Sequence, residues 1–268
     1  MEKICRDLDA EYRELDDAVS KLDSTAWFRK TPFYGWTIFD EIAHIAFFDR
    51  EALLSVNEPD RFRERSKIVL QDLMNHDHWP LFINPSLGAE HPDALLSLWR
   101  RTRAALLDQL GRMNAKNRIA WYGPDMGARS FATARLMETW AHGQDVFDTL
   151  HLKRTGTHRL RHVAHIGVTT LAWSFQLRNL PIPEVDIRIE LDGPDGERWV
   201  WGNPDAIAHV IGNAEDFCLV VTQRRNIADT SLKCQGDHVK KWLSIAQAFA
   251  GVPQNPPAPG ERRVHETD

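Results

Sequence analysis

No apolar run in this chain of 268 residues reaches the ~20 residues that a membrane span requires, because charge interrupts each hydrophobic stretch well before that length. The N-terminal MEKICRDLDAEYREL is acidic and amphipathic and has no apolar core of the signal-peptide kind. Basic blocks are also missing: 33 Lys and Arg stand dispersed among 38 Asp and Glu, giving a net charge of −5. Phosphate neutralisation needs a clustered positive face, so nucleic acid is excluded as a partner. Cysteine is scarce. Cys5, Cys218 and Cys234 are odd in number and lack CxxC spacing, which implies a reducing compartment, the cytoplasm, with thiols as inert packing residues. No internal repeat is visible.

What is present is the balance of a globular chain, 43% hydrophobic and 26% charged, with ten tryptophans. Residues 2–22 carry Ile4, Leu8, Tyr12, Leu15, Val19 and Leu22 at helical spacing. Thr37 is placed to cap a helix IFDEIAHIAFFDREALLSV, and DRFRERSKIVLQDLM reads as a third, more exposed helix. Residues 76–91 read as a loop, Pro92 opens a helix to about Met113, and Ser130 is an N-cap candidate for the helix after it. Residues 158–179 predict one further helix. After residue 180 the period changes to two: EVDIRIEL, the turn DGPDGE and RWVWG form a hairpin pattern. AHVIG and SLKCQG read as strands, AEDFCLVVTQRR and HVKKWLSIAQAFAG as helices. The expected organisation is an all-helical domain over 1–155, a bridging helix over 156–180, a small α+β domain over 181–252, and a proline-rich, poorly ordered tail over 253–268.

One helix does not fit ordinary packing. In ARLMETWAHGQDVFD, residues 134–148, Leu136, Trp140, Val146 and Phe147 supply apolar faces, while Glu138, His142 and Asp145 share a polar stripe. Glu138 and His142 stand four residues apart and project from adjacent turns. A catalytic zinc commonly takes three protein ligands plus water, His2Glu being a recurrent set, so a second histidine is required from a facing helix. His44, set among Ile42, Ile45, Phe47 and Phe48, is the candidate. Singly, His44 reads as a core histidine and Glu138 as a surface acid; together each offsets the other's burial.

GWTIFDEIAHIAFFDREAL followed by ATARLMETWAHGQDVFD resembles the mycothiol-dependent maleylpyruvate isomerase group of the DinB/YfiT-like superfamily, and within it an actinobacterial branch of metal-binding proteins. VIGNAEDFCLVVTQRRNIADTSLKCQG with WLSIAQAFAG resembles the sterol-carrier-like domain attached to that group's bundle. The resemblance implies a DinB-like antiparallel four-helix bundle followed by a small sterol-carrier-protein-like α+β domain. It implies metal ligation by His44, Glu138 and His142, with Asp40 one turn before the first and Asp145 following the last. Asp145 is read as a carboxylate orienting a ligating histidine rather than as a fourth ligand, and Asp40 as doing the same for His44 or simply capping its helix. Zinc is the expected ion, with iron or nickel compatible with the same donors, and mycothiol is the implied cosubstrate.

The expected activity is that of a metal-dependent isomerase or S-transferase acting on a small molecule with a low-molecular-weight thiol. Two alternatives stand: a thiol-independent hydrolase or rearrangement (cyclisation) enzyme, and a non-catalytic metal- or ligand-binding protein. Arg224 and Arg225 end an apolar helix and are candidates for binding an anionic substrate, against the plainer reading of a solvated helix end. His162 and His165 are spaced for one helical face, but no third ligand stands near them in the sequence and ordinary helix surface is the favoured reading; HDH at 76–78 suits a loop metal site, with a polar lid the favoured reading. Either a monomer or a homodimer fits this pattern.

Overall fold

The computed structural model describes residues 1–75 and 79–262. The chain divides into two compact units, Met1–Leu152 and the residues from Lys153 onward. Among the described residues no helix is long and apolar enough to cross a membrane.

In the first unit, α1 (Glu2–Val19) buries Ile4, Leu8, Tyr12, Leu15 and Val19, a stripe that repeats every three or four residues. A turn over residues 29–37 leads to α2 (Ile38–Asn57). Its start is a capping box: the Thr37 hydroxyl oxygen accepts from the Asp40 amide, and the Asp40 carboxylate accepts from the Thr37 amide at 2.8 Å. Every residue from Glu41 to Asp49 on α2 is buried, which makes it the central helix of the unit. Next come α3 (Pro59–Asn75), α4 (Pro80–Leu87), α5 (Pro92–Arg112), a two-residue pairing of β1 (Arg118–Ile119) with β2 (Met126–Gly127), and α6 (Ala128–Leu150). Helices α1 and α2 each pack on both α5 and α6, closing a ring of four around one core.

Two local readings change in this unit. The loop expected over 76–91 contains α4, which begins with Pro80 and ends at Gly88 in the left-handed conformation (φ 63°). Proline belongs at a first helical position and glycine just past an end, so the two residues that read as loop punctuation delimit a helix. Helix α6 starts at Ala128 with Gly127 as its cap, so Ser130 lies inside the first turn.

In the second unit, α7 (Leu160–Thr169) and α8 (Leu171–Gln176) replace the single bridging helix expected over 158–179. The break falls at Thr170, where the hydroxyls of Thr169 and Thr170 both donate to the Ile166 carbonyl, competing with the helical ladder. Strands β3 (Ile187–Asp192), β4 (Arg198–Trp201), β5 (Ala208–Asn213) and β6 (Lys233–Gln235) form one sheet ordered β4-β3-β5-β6. The β3–β4 hairpin and the β5–β6 pair are antiparallel, while β3 and β5 run parallel. Ile189, Leu191, Trp199 and Val210 point to the buried face, where α9 (Ala214–Val221) packs on β3 and β5, and α10 (Asp237–Leu243) on β5 and β6. Helix α7 crosses α9 closely at Gly167, where a Cβ would lie 2.6 Å from Val221 Cγ2. The closing helix ends at Leu243, shorter than the pattern to residue 251 implied. Residues 253–262, expected to lack order, supply carbonyls to side chains: Gln254 accepts from Gln223 at 2.8 Å, Pro257 from Asn226 at 2.8 Å. Proline removes donors from a segment but leaves its acceptors available.

Candidate metal centre

Helices α2 and α6 face each other across a seam that is polar where the surrounding core is apolar. His44 comes from α2; Glu138 and His142 come from successive turns of α6. The Glu138 Oε2 atom lies 3.5 Å from His142 Nε2 and 3.8 Å from His44 Nε2. Donors around a tetrahedral ion with bonds of about 2.0–2.1 Å stand about 3.3–3.4 Å apart, whereas a charge-assisted N–H···O contact closes to about 2.7–2.9 Å. The spacing therefore suits the edges of a coordination polyhedron better than direct hydrogen bonds. The two histidines are 6% and 5% exposed at their side chains, and Glu138 is 21% exposed, so the cluster opens on the carboxylate side. Burial alone would raise the Glu138 carboxyl; the imidazoles of His142 and His44 outweigh it and hold the group well below the usual carboxylate range.

The orientation of His142 comes from a residue that spacing did not single out. Its Nδ1–H donates to Glu41 Oε2 at 2.7 Å, and the other Glu41 oxygen accepts the Thr31 hydroxyl at 2.7 Å. An ionised carboxylate only accepts, so a proton sits on Nδ1, and Nε2 is the nitrogen turned toward Glu138. Thr31 also accepts from the Phe33 amide, tying this bond to the turn that carries Phe33 and Trp36. Trp36 stacks on His142 with ring centroids 5.9 Å apart, Phe33 meets it edge-on at 5.1 Å, and Trp79 stacks on His44 at 6.1 Å. Phe48 completes the aromatic surround of His44 at 4.7 Å. These rings restrict the imidazoles and keep bulk water away from the donors.

The predicted orienting carboxylates separate. Asp145 is fully buried, and its carboxylate forms a second cluster with Glu41 and His142, all donor atoms within 4.8 Å. Asp40 engages one oxygen in the α2 cap and the other with Asn84 Nδ2 at 2.6 Å, on α4. Its place one turn before His44 serves the helix start. Arg224 and Arg225 belong to the second unit, at the end of α9, both buried; Arg224 Nη1 donates to the Thr222 carbonyl and Arg225 Nη1 to the Arg224 carbonyl, each at 2.8 Å. His162 and His165 lie on α7 of the second unit, and the HDH segment at 76–78 lies outside the described residues. Burial pushes the Cys218 thiol well above its ordinary range, and the candidate metal clusters contain no cysteine.

Imidazole and carboxylate donors in this arrangement fit a divalent first-row ion, and Glu138 is the part-exposed member of the set. The family model for the mycothiol maleylpyruvate isomerase N-terminal domain matches residues 8–147. Two uncharacterized proteins from two strains of Mycobacterium tuberculosis are each 43% identical over 247 residues, which cover 92% of this chain and 95% of theirs. Crystal structures of a mycothiol-dependent maleylpyruvate isomerase and of a mutant of it align over 82% of this chain and 87% of that one, with a TM-score of 0.52 and 17% identity. At that identity the likeness speaks for the fold.

Proposed function

The chain belongs to the family defined by the mycothiol maleylpyruvate isomerase N-terminal domain, and from that premise we propose that it is a metal-dependent enzyme using a low-molecular-weight thiol, mycothiol, as an isomerase or S-transferase. The observation that carries this reading is the convergence of His44, Glu138 and His142 at donor spacings of 3.5 and 3.8 Å, open on one side. On this reading the first unit is a DinB-like four-helix bundle and the second a sterol-carrier-like accessory domain.

His44 and His142 would hold the ion, zinc, through Nε2, and Glu138 through Oε2. Such an ion supplies Lewis acidity, lowering the pKa of a bound thiol or water toward neutrality and polarising a carbonyl. The remaining work belongs to this chain. Glu41 keeps the His142 proton on Nδ1, Glu138 contributes one negative charge, and Phe33, Trp36, Phe48 and Trp79 limit water. Because the clusters hold no cysteine, the sulfur nucleophile has to arrive as cosubstrate. In an isomerisation the thiolate adds to an activated double bond, the resulting single bond rotates, and the thiolate leaves, so the thiol is regenerated. Arg224 and Arg225 are proposed to take an anionic group of the substrate; alanine at the relevant position should raise KM.

Elemental analysis of the purified protein tests the metal. Stoichiometric metal is expected in the wild type and should be lost in His44→Ala, Glu138→Ala and His142→Ala while helical circular dichroism persists. Retention of metal by all three variants would give the stripe another purpose. Maleylpyruvate turnover with and without mycothiol tests the thiol. A metal-loaded protein that acts equally without mycothiol would be a hydrolase or rearrangement enzyme instead.

A further inference from the structure

One and a half turns along α2 from His44 lies a buried polar cluster to which the chemistry above assigns no task. Asp49, fully buried, accepts one side-chain donor from each of the other three helices in the ring: Tyr12 Oη of α1 at 2.7 Å, Trp99 Nε1 of α5 at 3.1 Å, and Arg135 Nε of α6 at 2.9 Å. Arg135 is itself 3% exposed, and its Nη2 lies 3.5 Å from the carbonyl of Ile45, the residue after His44. Burial opposes the guanidinium charge, but Asp49 outweighs it and Arg135 stays ionised.

Stability alone explains such a pair poorly, since replacing a buried ion pair by well-packed apolar groups is often neutral or stabilising. Its position is more informative. Arg135 stands one turn before Glu138 and two before His142, and Asp49 follows His44 on the facing helix. The pair therefore ties together the same two helices that supply the metal ligands. Apolar side chains tolerate small sliding, while a charged hydrogen bond of fixed geometry resists it. The tolerance required is narrow: a one-residue slip of α6 is about 1.5 Å along its axis, against the ±0.2 Å to which metal–ligand bonds hold.

We propose that Arg135 and Asp49 are positioning residues that fix the register of α6 against α2, and so the spacing of Glu138 and His142 from His44. The proposal rests on the metal-site reading. It is tested on the full chain by zinc affinity from chelator competition, the visible spectrum of the cobalt-substituted protein, and Tm. Arg135→Lys retains charge but loses the planar Nε donor, and should weaken zinc about tenfold or more and alter the cobalt spectrum. Tyr12→Phe removes a bond to the same carboxylate from α1; it should lower Tm and leave zinc affinity within about twofold. Asp49→Leu with Arg135→Met and Tyr12→Phe replaces the pair together with one of the donors it would orphan; Trp99 Nε1 still loses its acceptor, so Tm should fall, and zinc should weaken as in Arg135→Lys, which decides the matter if Arg135→Lys does not fold. Unchanged zinc affinity in the folded Arg135 variants, or an equal loss in Tyr12→Phe, would overturn the proposal. A wild type that binds no more zinc than His142→Ala would instead sink the metal reading itself.

Discussion

Asp40 and Glu41 are adjacent carboxylates with unrelated tasks. Asp40 closes the capping box of α2 and bonds Asn84, whereas Glu41, on the buried face, accepts the Nδ1 proton of His142. Ligand-orienting carboxylates commonly change metal affinity by about 10–100-fold when removed. Glu41→Gln should weaken zinc within that range, and Glu41→Ala further, because glutamine still accepts the Nδ1 proton but carries no charge. Asp40→Asn keeps an acceptor for the Thr37 amide but removes a negative charge from the first turn of α2, so it should cost about 0.3–1 kcal/mol of stability and leave zinc affinity near wild type. Titration with a chromophoric chelator, beside thermal melts, separates the two; equal affinity in all three variants would remove Glu41 from the site. The family resemblance brought Asp40 forward because it stands one turn from His44 on the same helix. Glu41 works on a histidine 101 positions away, a relation that no local pattern carries.

At the scale of elements, helix faces and ends were readable where one helix supplies its own signals. Thr37 with Asp40, Pro92 and the α1 stripe are such cases. Connections between helices are less so. Asp16 on α1 accepts from Arg100 Nε at 2.8 Å, and is paired also with Arg103, both on α5. Burial raises the Asp16 carboxyl, but the hydrogen bond from Arg100 and the charges of both arginines outweigh it and hold the group below the ordinary carboxylate range. A carboxyl lowered on folding contributes stability that is full above its unfolded value and is lost as pH falls through the folded one. Asp16→Asn should therefore melt below the wild type at neutral pH, and the gap should close in acid, below the ordinary carboxylate range near ~4. A gap that is constant from pH 7 to pH 3 would show that Asp16 acts by packing alone.

At the scale of the whole molecule, the division into two units falls between Leu152 and Lys153. The change of period that suggested two domains lies some thirty residues later, because α7 and α8 are helical yet pack with the sheet unit, α7 on α9. Lys153 is exposed, and Arg154 beside it is buried. Brief tryptic digestion of the native protein should therefore cut after Lys153 ahead of the helical lysines and arginines, leaving two protease-resistant fragments. Early cleavage inside α5 or α6 with the Lys153 bond intact would contradict this division.

The sequence by itself determined the candidate donor residues, the helix faces that carry them, the β3–β4 hairpin and the absence of a cysteine beside those donors along the chain. These rest on relations within one or two turns, or across one tight turn, and such relations are written in residue spacing. Only the tertiary structure decided which carboxylate His142 Nδ1 bonds, that Asp49 gathers donors from three other helices, and that Pro80 and Gly88 bound a helix. The physical reason is that a buried polar group takes whichever partner the packing of distant segments brings within about 3 Å. The chain leaves many acids able to fill that role, and the fold selects Glu41 and Asp49 by placing them there.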